Sequence, residues 1–354
     1  MIDYGLGYCG TKEEIAFFKD PTQENAVKSL KALFNNKAKA GLFNQYFTGK
    51  DFIKYGRAVH MMSAFYLGII LKDFVSDAVV SAIKTNNPRM ELVYFEDPWL
   101  LCCLMHDFFF DYEKPMGKDG EISNLSDLKR ALSIKHTIYR TSLPSSPRRI
   151  RLKRFSPIYS EDVVDAYFTY RQQRDRIDHG IAGGYYAFDQ LVKNYLAERE
   201  RNQYHNKFQT SHDGYTLLWD NDQVWVFKLV ADAIISHNIY HQSQYQGLPP
   251  VLTKGQPEER KLNIKTEPLA FFLSLIDTIE PVKRFDNHHS VKDILENLTI
   301  EKHSSSLVIS QNDRNFIDLE AWHSGYIAEM SDWMDGVFSE YVCETDSITI
   351  SIDI

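Results

Sequence analysis

The residues of this chain best suited to chemistry are His60, the adjacent pair His106-Asp107, His179, His237 and Asp277. Each lies within, or ends, an apolar stretch with helical character. His205, His212, His288, His289 and His303 lie in polar stretches instead. Buried imidazoles and carboxylates are costly unless they are paired or bound to metal. Gathered around one core, the apolar-embedded set would form a nitrogen and oxygen shell suited to iron, manganese or zinc, and less readily to magnesium. The pair His106-Asp107 closes the greasy run Trp99-Leu-Leu-Cys-Cys-Leu-Met. Neighbouring residues point roughly 100° apart on a helix, so one ion can take both only near a helix end or a bend. Singly, each residue has a blander reading. A His-Asp pair can cap a surface helix, and a lone helical histidine can be a hydrogen-bonded core residue. Their common apolar context favours the ion.

The elements that must position these groups are helices. Lys50 to Phe74 carries His60 in a run without proline, with Arg57 one turn earlier. A second helix near Asp73 to Lys84 is closed by Asn86-Asn87-Pro88. Glu96-Asp97-Pro98 reads as the start of the His106-Asp107 helix. Ser160-Glu-Asp provides a cap for a helical pattern that continues through Asp178 and His179. Around His179 the small residues Gly180, Ala182, Gly183 and Gly184 allow a close backbone approach, to another helix or to a ligand. Trp225 to Tyr240 carries His237, with His241 one turn on. Pro268 to Pro281 is the last strongly apolar helix, with Asp277 its one interior carboxylate. Pro21 to Leu33 is a shorter amphipathic segment.

Polar, breaker-rich stretches near 114–158 and 200–222 read as insertions, the first ending in the basic run Arg148 to Arg154. Past about residue 290 the texture changes. Leu298-Thr-Ile-Glu, Ser306-Leu-Val-Ile-Ser and the alternating Asp346 to Ile354 look like strands, and Arg314 to Val337 looks helical. The expected architecture is mainly α, a helical body over 1–290 with a small α+β appendage over 291–354.

Composition narrows the function. An apolar content of 44% with 13% aromatic residues describes a folded chain and excludes a disordered one. A net charge of -8 disfavours long nucleic acid and anionic membrane as partners of the whole surface. Cys9, Cys102, Cys103 and Cys343 suggest neither a disulfide framework nor a zinc finger. The start Met-Ile-Asp-Tyr-Gly has no signal-peptide character, and Met61 to Leu71 is too short to span a bilayer. The expected location is the cytoplasm.

The order helix-His, apolar run to His-Asp, further histidines, late helix-Asp resembles the HD-domain superfamily of metal-dependent phosphohydrolases. The resemblance covers roughly Lys50 to Arg284 and implies an HD-type helical bundle. Carried over residue by residue, His60, His106, Asp107 and Asp277 match the four ligands of one metal. His179 and His237 match the extra histidines of two-metal members, with Asp107 bridging. The pair is followed here by Phe108-Phe109-Phe110, where many members have Ile-Gly and then Lys. There is also no His-His…Gly-Tyr-Pro element, so the cyclic-di-GMP-degrading branch is not indicated. The segment Asp178-His179-Gly180-Ile181 is similar to that of uncharacterised bacterial members.

The resemblance implies one or two divalent ions (Fe, Mn, Zn or Mg) and a water-activating hydrolase or phosphodiesterase acting on a small phosphate-bearing substrate such as a nucleotide. Single-stranded nucleic acid is the second choice of ligand, and a homo-oligomer is compatible with the sequence. Besides Asp107, the groups expected to serve the reaction are Arg57, Lys114 and Arg174, with Arg176 and Arg284 as further phosphate contacts. Asp178 could orient an imidazole, and Asp111 or Glu113 could move a proton. Two other readings stand beside the hydrolase. One is a di-iron oxygenase of the same superfamily; the other is a metal-binding sensor or assembly protein without catalysis.

Overall fold

The computed structural model describes residues 16–20, 22–35, 57–86, 94–110, 122–143, 150–151, 154–174, 176–205, 211–212, 215–216, 221–239, 261–285 and 288–353. In chain order the principal helices are α1 (Gln23–Asn35), α2 (Arg57–Leu71), α3 (Ser76–Asn86), α4 (Glu96–Met105), α5 (Glu161–Gln172), α6 (His179–His205), α7 (Asn221–Ser236), α8 (Pro268–Ile279), α9 (Val282–Phe285) and α10 (Val291–Asn297). The chain is mostly helical, with a small antiparallel sheet near its C-terminus.

Helix α8 is apolar on all sides and every one of its residues is buried, as expected of a helix enclosed by others. It packs against α2, α3, α4 and α7. Pro268 stands in its first turn, where a missing N–H costs nothing. Trp99 of α4 is fully buried and donates its indole N–H to the Phe65 carbonyl at 3.0 Å. Gly68 makes room for it, since a Cβ there would lie 2.3 Å from the indole ring.

The small residues of α6 explain its tight packing along α7. A Cβ on Gly183 would meet the Met105 carbonyl at 2.9 Å, and one on Gly184 would meet the Ala231 carbonyl at 2.7 Å and Ile235 Cγ1 at 2.5 Å. Two of these obstacles are backbone atoms, so the helices themselves must separate. Gly184→Ala should therefore destabilise the protein by about 1–3 kcal/mol, the usual cost of overpacking. A urea midpoint equal to that of the parent protein would refute this account.

The C-terminal sheet has strands β1 (Leu298–Lys302), β2 (Ser306–Gln311), β3 (Val337–Val342) and β4 (Ser347–Ile352) in the order β1-β2-β4-β3, all antiparallel. Leu307 faces Ile350 and Ile309 faces Ile348, so the alternating apolar residues of the two central strands share one buried face. This piece is tied to the chain before residue 290. The Leu262 N–H donates to the Trp333 carbonyl at 2.9 Å, Lys302 pairs with Asp73 at 2.7 Å, and Phe285 packs edge-on against Trp322.

Three expectations need correction. The Ser160 helix does not continue through His179: α5 ends at Gln172, and α6 begins afresh where Asp178 Oδ1 accepts the Ile181 N–H. The polar stretch expected as an insertion from residue 200 is helical as far as His205, where α6 ends. Between Arg314 and Val337 the helix is broken into Leu319–Trp322, a π turn over His323–Ile327 and Met330–Trp333. Gly336, at φ +70, then turns the chain into β3, a strand the apolar spacing had not suggested. Among the described residues no helix is long and apolar enough to cross a membrane.

Candidate metal centre

Five elements deliver the six residues. His60 lies in α2, His106 and Asp107 follow α4, His179 opens α6, His237 follows α7, and Asp277 is in the last turn of α8. His106 is the C-cap residue of α4 and keeps helical torsions, while the chain turns from Asp107 onward. That helix end is what lets two adjacent side chains serve one centre. All six residues are buried.

His60 Nε2 lies 3.1 Å from His106 Nε2, 3.2 Å from Asp277 Oδ1 and 3.4 Å from Asp107 Oδ2. His106 Nε2 is 3.3 Å from the same Asp277 oxygen. Ligand atoms of His60, His106 and Asp277 all fall within 4.8 Å of one another, so this buried cluster could hold a metal ion. Asp107 faces two ways. While Oδ2 meets His60, Oδ1 lies 3.2 Å from His179 Nε2. The His237 ring is 5.6 Å from that of His106 and 5.4 Å from that of His179, centre to centre.

The rings are held by their far nitrogens. His106 Nδ1 donates to the Cys103 carbonyl at 2.9 Å and His237 Nδ1 to the Ile234 carbonyl at 2.6 Å. His60 Nδ1 is 2.7 Å from Glu280 Oε2. A carbonyl only accepts, so His106 and His237 carry their proton on Nδ1 and keep a lone pair on Nε2 when neutral. His237 Nε2 is buried and has no hydrogen-bond partner among the described residues. The facing Nε2 atoms of His60 and His106 repel unless a proton or a cation lies between them. This arrangement, with Nδ1 tied to the protein and Nε2 turned inward, is that of metal-ligating histidines. The donor set fits a divalent transition metal. Gly180 contributes space, since a Cβ there would lie 2.8 Å from His237 Cε1.

Electrostatics agree with a cation-seeking site. Burial would raise Asp107 and Asp277, but Lys283 and the imidazoles outweigh it and hold both well below the usual carboxylate range. Burial alone would lower His60. Hydrogen bonds to Asp277 and Glu280, with the charges of Glu280 and Asp107, instead raise it to about 9. Burial and the neighbouring His179 and His106 push His237 down to about 3.

A pH prediction follows from His60. In the metal-free protein at pH 7 its folded value of about 9 leaves it protonated, and a ligating Nε2 must be bare. Metal uptake at pH 7 should therefore release a proton from His60, and apparent affinity should rise with pH up to about 9 and then level off. In the metal-free protein the raised value stabilises the fold fully below about 6.5, a contribution lost as pH rises through about 9. Calorimetric titration in buffers of different ionisation enthalpy counts the protons. A pH-independent affinity from 7 to 9 would contradict this assignment.

The expected accessory groups fare differently. Arg174 is exposed, stacks on the Tyr170 ring at 3.7 Å and donates to the Tyr170 carbonyl. It is thus engaged by the last turn of α5, and none of its described contacts is with the cluster. Arg284 stacks on Tyr326 at 4.0 Å, and Arg176 is exposed. Asp178 is buried, and its carboxylate caps the start of α6, the helix that His179 opens. Arg57 belongs to α2 one turn before His60, but its side chain is outside the described residues, as are Lys114, Asp111, Glu113, His241 and most of the run Arg148 to Arg154.

Three residues at the centre were not anticipated. Glu280 is fully buried and binds His60, Ser63 and the N–H groups of Val282 and Lys283. Lys283 places Nζ 2.7 Å from both oxygens of Asp277. The Asn238 amide lies 2.8 Å from His179 Nε2. Glu280 had a sequence signal: it follows Asp277 by three residues, about one turn, and precedes Pro281. The chain matches no protein-family model, no curated protein and no solved structure.

Proposed function

We propose that this chain is an HD-type metal-dependent phosphohydrolase that opens a phosphate ester or anhydride, most simply in a nucleotide. The observation that carries the reading is the convergence of His60 and His106 Nε2 with Asp107 and Asp277, each imidazole tethered through Nδ1. His60, His106, Asp107 and Asp277 would hold one ion. His179 and His237 would hold a second, and the two-way carboxylate of Asp107 supports that sharing. When bound, a divalent ion supplies Lewis acidity, drawing charge from phosphoryl oxygens and lowering the pKa of water.

The protein's own part is to fix the ligands and limit water. Glu280, the Cys103 carbonyl and the Ile234 carbonyl orient three rings before any ion arrives, which reduces reorganisation. Phe110 packs edge-on to His179 at 5.4 Å and supplies part of an apolar wall. Lys283 offsets the negative charge of Asp277. A negative chain favours a small ligand in a recess over a long polyanion. A reducing cytoplasm accords with free Cys102 and Cys103, which are adjacent and buried.

The shared Asp107 also keeps open the di-iron oxygenase reading, because both chemistries use paired ions. Elemental analysis of protein purified without added metal, beside His179→Ala, tests the site. Two transition-metal ions per chain, falling in the variant, support the six-ligand centre. One ion, unchanged in the variant, would remove His179 and His237 from it. Phosphodiesterase activity without O₂ uptake supports hydrolysis, and O₂ consumption by an iron-loaded protein would replace it with oxygenation.

A further inference from the structure

We infer that Lys283 is a substrate contact, the cation that receives a phosphate group arriving at the metal centre. The inference rests on the phosphohydrolase reading and names a recognition element within it. Lys283 is six residues beyond Asp277, in the short helix α9. Its backbone N–H donates to Glu280 Oε2 at 2.9 Å, so the same buried carboxylate that orients His60 also anchors the Lys283 backbone. Its Nζ lies 2.7 Å from each Asp277 oxygen. An ammonium group has three donors. Two point to Asp277, and the third has no partner among the described residues.

Exposure gives the direction of approach. The side chains of Asp277 and Lys283 are each 12% exposed, against 6% or less for His60, His106, His179 and Asp107. His237 is 1% exposed. Among the described groups of the centre, the Asp277–Lys283 edge is the one nearest to solvent, and there a ligand would arrive. There it meets a compact positive charge with a donor to spare, the kind of group that binds phosphate as a point charge. Arg174 was expected in this role but is committed to Tyr170. Lys283 is the cation that the described contacts place against a candidate ligand.

The test uses full-length, metal-loaded protein with inorganic phosphate as the probe, measured by titration calorimetry. Lys283→Met should weaken phosphate binding at least tenfold on the scale of a charge-assisted contact, and Lys283→Arg should restore most of it. Equal phosphate affinity in Lys283→Met and the parent protein, or no phosphate binding by the parent, would overturn the inference. A second readout needs no variant. Phosphate should slow acylation of Lys283 in the parent protein, followed by mass spectrometry, without protecting the exposed Lys292. Absence of that protection also overturns it. Phosphate binding that depends on Lys283 in a protein without hydrolase activity would sink the proposed reaction and leave this contact standing. Hydrolysis with phosphate binding indifferent to Lys283 would do the reverse.

Discussion

Asp107→Ala should yield protein with little or no bound metal and with activity reduced by about 10³ or more, the scale lost with a charge-stabilising group in a catalytic site. The size follows from the two-way use of this carboxylate. One oxygen faces His60 and the other faces His179, so its removal strips an anionic donor from both halves of the cluster. Helix content should hardly change, because Asp107 lies beyond α4, and Phe110 bonds its backbone carbonyl rather than its side chain. His106→Ala should behave alike. His303→Ala should be near neutral, since that side chain is exposed and outside the cluster. Metal analysis and circular dichroism of the same samples separate site loss from unfolding. Full metal content in Asp107→Ala would end the assignment.

The second large effect is expected at Glu280. Its two oxygens take four donors: Ser63 and Val282 N–H on one, His60 Nδ1 and Lys283 N–H on the other. Burial would raise its pKa, but these donors hold it below its ordinary value. In Glu280→Gln the amide nitrogen must face one backbone N–H whichever way it is turned, Val282 on one side or Lys283 on the other. An unsatisfied buried donor costs about 1–3 kcal/mol. Losing the carboxylate behind His60 should also weaken metal binding by roughly 10–100-fold, as for other groups that orient metal ligands. The rise of affinity with pH should flatten, because Glu280 helps raise the His60 pKa. Unchanged metal affinity in Glu280→Gln would mean that His60 is oriented by something else.

Both variants address groups whose sequence visibility differed. Asp107 stood out because a charged pair ended an apolar run. Glu280 did not, because a carboxylate before proline at a helix end is ordinary in isolation. Only the arrival of His60, 220 residues earlier in the chain, gives it a partner. Lys283 was hidden for the same reason. A lysine after a helix reads as solvated until Asp277 is seen beside it. Arg174 shows the converse: nearness in sequence to His179 suggested a role, but its guanidinium is engaged by Tyr170 of α5.

By itself the sequence determined the helical body, three of the four strands near the C-terminus and the residues able to form a metal shell. Periodicity, caps and apolar context are local properties, and local spacing encodes them. The ends of α5 and α6, the broken helix after Arg314 and strand β3 escaped it, because capping by Asp178 and pairing of β3 with β4 are settled by neighbours rather than by propensity. Tertiary structure alone decided which imidazole nitrogens face inward, how Asp107 divides its oxygens, and which cation pairs with Asp277. Those facts depend on where helices cross. The crossings are set by close contacts such as Gly180 against His237 and Gly183 against the Met105 carbonyl, between residues far apart in the chain.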